Sequence, residues 1–302
     1  MGFGAKSMEK TKQSYIYAGL AVLFWSTVPT AFKICLGKLS VLPMLTISSL
    51  TSAIVLFGII LLTGKTGLLF KNSGRDILYS AILGLINPFL YYLILLKAYQ
   101  LLPAQVAQPL NMIWPIIIVF LSVLILKQKI KAKSFAALFI SFAGVYLIAS
   151  QGDPFHPGLS DIRGVLLATG SSVFWAFYFI LNVRDKRDEA MKLFLNFLFG
   201  TVYLIIALIL THSWPDKPGI TGIGSAVYVG IFEMGITFYF WLKALQLAPT
   251  ADRISNLVYL APFCSLVFIH FIIHEPVYYT TLAGLLLIIS GIVIQNRHPG
   301  KV

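Results

Sequence analysis

Residues Gly230–Pro262 read GIFEMGITFYFWLKALQLAPTADRISNLVYLAP, two apolar runs joined by a short stretch holding Pro249, Asp252 and Arg253. Within the first run stands Glu233, the one acidic residue of the chain that falls well inside an apolar segment. A charged side chain at a bilayer centre costs about 2.5–3.5 kcal/mol on insertion scales, so it persists where it is paired, hydrated or protonated. The stretch therefore reads as the end of one membrane-spanning helix, a short basic turn and the start of the next. Glu233 then marks a depth at which the interior of the bundle is not lipid.

The rest of the chain fits that solvent. Of 302 residues, 58% are hydrophobic and 11% charged, with a mean hydropathy of +0.85. A soluble domain carries about 25% charged residues. So much apolar surface calls for a polytopic membrane protein with the lipid bilayer as its main partner. The net charge of +12 sits in short runs between apolar segments. Loops at a headgroup surface look like this, and no nucleic-acid partner is expected. Cys35 and Cys264 lie in apolar spans and read as packing residues. His156, His212, His270, His274 and His298 show no metal-ligand spacing. No metal, cofactor or enzymatic site is expected.

Ten continuously apolar spans are marked at approximately 14–36, 41–63, 76–98, 104–126, 132–150, 162–182, 191–212, 221–245, 251–273 and 278–296. Runs of about 20 apolar residues with no period of two are helices, so the expected fold is an all-α polytopic membrane protein. Placing the N-terminus inside puts 18 of the 23 Lys and Arg on that side. Only Lys33, Lys38, Lys97, Arg163 and Lys217 are left outside. The bias predicts an inner (plasma) membrane protein with both termini cytoplasmic.

The chain also repeats itself. Lys97-Ala98-Tyr99-Gln100-Leu101-Leu102-Pro103 matches Lys243-Ala244-Leu245-Gln246-Leu247-Ala248-Pro249, and Phe24-Trp25-Ser26 matches Phe174-Trp175-Ala176. Pro115 aligns with Pro262, Gln128 with Glu275 and Gly144 with Gly291. Two five-helix repeats follow, residues 14–150 and 160–296, forming one membrane domain. Five is odd, so the halves are expected in opposite orientations. Inverted repeats suit a transporter, since two such halves rocking on each other expose a midplane site to alternate sides.

The ten-span, five-plus-five pattern resembles the drug/metabolite transporter superfamily, EamA-type branch. The resemblance is carried by Leu23-Phe24-Trp25-Ser26-Thr27 and Val173-Phe174-Trp175-Ala176, and by the proline-bearing fourth and ninth helices. After these helices come Lys127-Gln128-Lys129 and His274-Glu275-Pro276. Asn111-Met112-Ile113-Trp114-Pro115 is similar to the YddG-type amino acid exporters of that branch. Family members often carry a glutamate at the end of the fourth helix where this chain has Gln128. The resemblance implies a secondary transporter without an ATP-binding domain, and no GxxxxGK[ST] run is present.

Counting back ten residues from the matched lysines pairs Glu233 with Asn87, where Asn87-Pro88 interrupts the third helix. Glu233 is expected either to bind a proton or a substrate ammonium group, or to rest in helix packing against a tyrosine. Trp25, Tyr91, Trp114, Trp175, Tyr178, Tyr239 and Tyr259 are expected to line a cavity on the helices that the family places around it, or to pack and face lipid. Asn111 and Asn256 either line the path or tie helices together. Gln105 and Gln108 read as gate or interface residues, and Asp252 with Arg253 as a cap or gate pair. Gly144, Gly291, Ala136, Ala137, Ala283 and Gly284 read as small packing residues, on helices that also offer a homodimer face. The expected function is export of a small organic metabolite, an amino acid or an aromatic compound, by alternating access. The alternatives are an uptake permease or exchanger, and a non-transporting scaffold or sensor.

Overall fold

The structure is a computed structural model describing residues 2–126, 132–155, 161–215, 218–248 and 256–296. Lys127, Gln128, Lys129, His156, Pro249, Asp252, Arg253 and His298 lie outside the described residues, as does the side chain of Asn256. Every described element is helical. In chain order they are α1 (Gly2–Leu36), α2 (Val41–Leu62), a 3₁₀ turn (Thr66–Lys71), α3 (Gly74–Gly84), a π-turn (Leu85–Leu90) and α4 (Tyr91–Leu101). Then come α5 (Ala104–Asn111), α6 (Trp114–Leu126), α7 (Ala132–Ala149), α8 (Ile162–Arg184) and α9 (Glu189–Leu210). The chain continues through α10 (Ile220–Phe232), α11 (Ile236–Leu247), a 3₁₀ turn (Asn256–Tyr259), α12 (Leu260–Ile273) and α13 (Tyr279–Asn296).

Six helical segments are long and apolar enough to cross a membrane: Glu9–Leu36, Val41–Leu62, Gly74–Leu101, Ile162–Arg184, Glu189–Leu210 and Ile220–Leu247. Three shorter apolar helices accompany them, Phe135–Ala149, Leu257–Ile273 and Tyr279–Ile294. The chain is a multi-pass membrane protein. Helix starts are set by local chemistry. The Ser73 hydroxyl accepts from Asp76 N while the Asp76 carboxylate accepts from Ser73 N, a capping box that opens α3. The Asp188 carboxylate accepts from the amides of Ala190 and Met191 at the start of α9.

The structure places breaks within four of the expected spans. The third is broken by the π-turn at Asn87–Pro88, and the eighth at Glu233–Gly235. The fourth splits between Asn111 and Trp114, and the ninth contains a 3₁₀ turn at Asn256–Tyr259. Proline explains the first break, because Pro88 has no N–H to donate.

Contacts between helices are reciprocal. α1 packs on α10, α11 and α12, while α8 packs on α3, α4 and α6; α2 lies against α9 between them. Close approach rests on glycine. A Cβ on Gly84 would lie 2.4 Å from Asn196 O, and one on Gly230 2.4 Å from Ser48 O. Serines of α2 bond across to the neighbouring helices, Ser48 to Ala226 O and Ser52 to Met234 O, both at 2.8 Å. α7 and α13 form the most extensive helix pair, with Gly144 set against Gly284 and Gly291 against Ser141 and Ala137. Their small residues are spent on each other within one chain, leaving Phe139, Phe142 and Leu286 outward.

Loops at one end of the bundle meet through Lys65, which pairs with Asp188, and Arg187, which donates to Asn72 Oδ1 and Asp76 O at 3.2 Å. At the other end Gly152 N donates to Thr280 Oγ1 at 2.8 Å, and Gly164 abuts Leu101 and Leu102.

Candidate functional site

Glu233 stands at the point where α10 stops. Its amide still reaches Val229 O at 2.8 Å, but Gly235 takes φ −110 and ψ −100 before α11 begins at Ile236. The side chain leaves the helix at this break and meets Tyr92 of α4, whose hydroxyl donates to Glu233 Oε1 at 2.9 Å. Tyr92 is fully buried. Among the described residues no Lys, Arg or His forms an ion pair with Glu233.

The carboxylate borders a cavity of about 530 Å³ enclosed by helices of both halves of the chain. Its wall is rich in aromatic side chains, among them Trp25, Tyr91, Trp114, Trp175, Phe238 and Trp241. These rings touch one another. Trp175 lies 5.0 Å from Tyr91, 5.7 Å from Tyr178 and 6.1 Å from Phe238 between centroids, and Trp25 lies 5.5 Å from Trp241. Such a wall offers π-faces to a flat or cationic solute and polar edges to its hydrogen-bonding groups.

One end of the cavity reaches Asn182, Glu189 and Lys192, at the bundle end that carries residues 185–188. The opposite end is closed. Lys33 Nζ donates to Tyr99 O at 3.0 Å and Leu102 O at 3.1 Å, and lies 4.0 Å from Glu275 Oε1. The buried Gln105 amide side chain donates to Pro276 O, while its Oε1 accepts from Tyr278 N and Thr281 Oγ1 at 3.1 and 3.2 Å. Ser265 Oγ donates to Gln108 Oε1.

Of the residues singled out in the sequence, Trp25, Tyr91, Asn111, Trp114, Trp175, Tyr178, Glu233 and Tyr259 line this cavity. Asn111 is braced. It accepts from Tyr91 OH at 3.2 Å and donates to Ser171 Oγ at 2.7 Å, so it ties three helices together while facing the space. Asn87 does not line the cavity but is buried behind Tyr178. Tyr239 does not line it either. Helix α11 restarts at Ile236, which turns Phe238 and Trp241 inward and leaves Tyr239 beneath the Lys243 ammonium, 5.6 Å from its ring centroid. Sequence reasoning missed Lys192, counted as a loop charge but only 1% exposed. Its ammonium donates to Asn182 O, Asp185 O and Glu189 Oε1 at 3.0, 3.1 and 2.7 Å. The Glu189–Lys192 spacing of three on a helix was the available signal.

Fold and cavity together define a multi-pass helical membrane protein with an internal cavity rich in aromatic side chains. The EamA-like transporter family model matches residues 12–150 and again 162–297, so the chain belongs to the EamA-like transporter family. It is 27% identical over 299 residues to an uncharacterized transporter, YvbV, of Bacillus subtilis (strain 168), covering 96% of this chain and 93% of that one. It is 24% identical over 233 residues to a protein named aromatic amino acid exporter YddG of Ancylobacter novellus, covering 73% and 75% of the two chains. A crystal structure aligns over 95% of this chain and 97% of its own, with a TM-score of 0.66 at 19% identity, a likeness of fold alone.

Proposed function

We propose that this protein is a secondary transporter of the inner (plasma) membrane that exports a small organic solute bearing an ammonium group and an apolar or aromatic body. In this reading ten spans form two inverted halves, residues 14–150 and 160–296, with both termini cytoplasmic. The reciprocal packing of α1 and α8 supports it, as does the family model matching once in each half. The cavity is then open to the cytoplasm and closed outside by Lys33, Gln105 and Glu275. Rocking of the halves exchanges the two openings.

The observation that carries the reading is the Glu233 carboxylate at a helix break, facing an aromatic cavity and, among the described residues, hydrogen-bonded to Tyr92 OH and to no cation. Such a carboxylate accepts one positive charge at a time, either a proton or the solute's ammonium. Competition between the two couples outward movement of solute to inward movement of protons. The aromatic walls hold the body of the solute. An amino acid is the solute class that the name of the Ancylobacter relative supports.

The test is counterflow of labelled aromatic amino acids and amines in proteoliposomes. Glu233→Gln is expected to lower flux by about tenfold or more, the factor that loss of one charge-assisted contact of about 1.5–3 kcal/mol brings. It is also expected to abolish the flux driven by a pH gradient. Unchanged flux with unchanged pH dependence would remove Glu233 from the mechanism.

A further inference from the structure

The cavity selects by charge as well as by shape. Among the described residues of its wall the charged side chains are Glu189, Lys192 and Glu233. Two of these cancel. The Lys192 ammonium donates to Glu189 Oε1 at 2.7 Å, Asn182 O at 3.0 Å and Asp185 O at 3.1 Å. An ammonium has three N–H groups, so none is left for a solute. Its carbonyl partners lie at the end of α8, where it serves the fold. Lys33, at the closed end, is held by Tyr99 O and Leu102 O beside Glu275 and does not line the cavity. Among the described residues of the wall, Glu233 is therefore the one charge without a counter-charge.

A zwitterionic amino acid would bring a carboxylate into this space together with its ammonium. A buried carboxylate needs a cation or several converging N–H donors. The other donors of the described wall are amide, indole and hydroxyl groups, all neutral, and those of Tyr91 and Asn111 are already given away. Tyr91 OH donates to Asn111 Oδ1, and Asn111 Nδ2 to Ser171 Oγ. The helix break beside Glu233 does not supply a seat either. Residues 234–237, where α11 opens, do not line the cavity. Met234 and Thr237 are 0% exposed, and Gly235 is pressed against Gly230 O and Val55. A cation is better served, because the wall is rich in rings whose faces attract positive charge and repel negative charge.

We propose that the solute is an aromatic amine without an acid group, a monocation, and not an amino acid. This rests on the reading above that Glu233 receives the solute's ammonium, and narrows it. The test is binding to the purified full-length protein at neutral pH, followed by its tryptophan fluorescence, since four of its five tryptophans line the cavity. The probes share a phenyl ring: phenethylamine, phenylalaninol, phenylalanine and 3-phenylpropionate. Phenylalaninol keeps the ammonium of phenylalanine and carries a hydroxymethyl group in place of the carboxylate. Phenethylamine and phenylalaninol are expected to bind with Kd values within about threefold of each other. Phenylalanine is expected to bind about tenfold more weakly or worse, and 3-phenylpropionate weakest of all. Glu233→Gln is expected to weaken phenethylamine binding by about tenfold or more. Phenylalanine binding as tightly as phenylalaninol, with both weakened by Glu233→Gln, would overturn the proposal and leave Glu233 as the ammonium site. Phenethylamine binding unchanged in Glu233→Gln, or no binding of any of the four, would overturn the proposal and the reading beneath it together.

Discussion

Asp185 and Arg187 occupy the short turn between α8 and α9, with side chains 4% and 16% exposed. Burial pushes the Asp185 carboxyl up, but the hydrogen bonds and charge of Arg187 more than reverse this and hold it below the ordinary aspartate value of 3.8. Arg187 spends its other donors on Asn72 Oδ1, Asp76 O and Ser80 Oγ, so this one residue binds the turn to the start of α3. A carboxyl whose folded pKa is depressed stabilises fully above its unfolded value, and that contribution is lost as pH falls through the folded value. Asp185→Asn is therefore expected to cost about 2 kcal/mol at pH 7, the scale of hydrogen bonds to charged groups. It should also flatten the fall in Tm between about pH 5 and pH 3, the region in which carboxylates of this kind titrate. A Tm at pH 7 equal to that of the wild type would show that the turn is held by other contacts. The importance of Arg187 was not legible in the sequence. In a row of Arg184, Lys186 and Arg187, nothing local says which cation turns inward to meet Asp185 and Ser80.

Among the elements, helix existence was legible and helix continuity was not. Long apolar runs announced α2, α8 and α9 and the end of α1 within a few residues, because nothing in those stretches competes with backbone pairing, whereas α1 starts at Gly2 and not near residue 14. The breaks were only half legible. Pro88 signalled one, whereas the break at Glu233 depends on how Gly235 packs against Gly230 O and Val55, a tertiary fact. Once a helix restarts, its phase is reset. For that reason the sequence pointed to Tyr239, whereas Phe238 and Trp241 are the residues of α11 that line the cavity beside Leu245. Close packing gives a sharp test at this scale. A methyl on Gly144 would lie 2.5 Å from Gly284 O, whereas one on Gly19 meets nothing within 4 Å. Gly144→Ala is expected to destabilise by about 1–3 kcal/mol as α7 and α13 are forced apart. Gly19→Ala is expected to be neutral or to gain up to about 1 kcal/mol of helix propensity. Denaturant unfolding in detergent reads both, and equal effects at the two sites would contradict the packing described for α7 and α13.

For the molecule as a whole, the asymmetry between its two ends decides which side the cavity faces. One end leaves the cavity bordered by Asn182 and the Glu189–Lys192 pair, while the other is fastened by Lys33 and Gln105 to backbone carbonyls. Gln105 crosses from α5 to residues 276–281, and Lys33 Nζ lies 4.0 Å from Glu275 Oε1, so separating the halves there breaks several contacts together. Each such bond contributes about 0.5–1.5 kcal/mol, and a few of them bias a two-state equilibrium by one to two orders of magnitude. Lys33→Met and Gln105→Ala should therefore raise the population open at that end by about fivefold each, from about 1 kcal/mol apiece. A cysteine introduced at Leu95, inside the cavity, with Cys35 and Cys264 replaced by Ser, reports that population. Its rate of reaction with a membrane-impermeant maleimide added from the side of residues 274–278 should rise in both variants. The rate from the opposite side should fall. If labelling from both sides is unchanged, these residues do not hold the end shut, and closure rests on the apolar packing of α1, α4 and α12 instead.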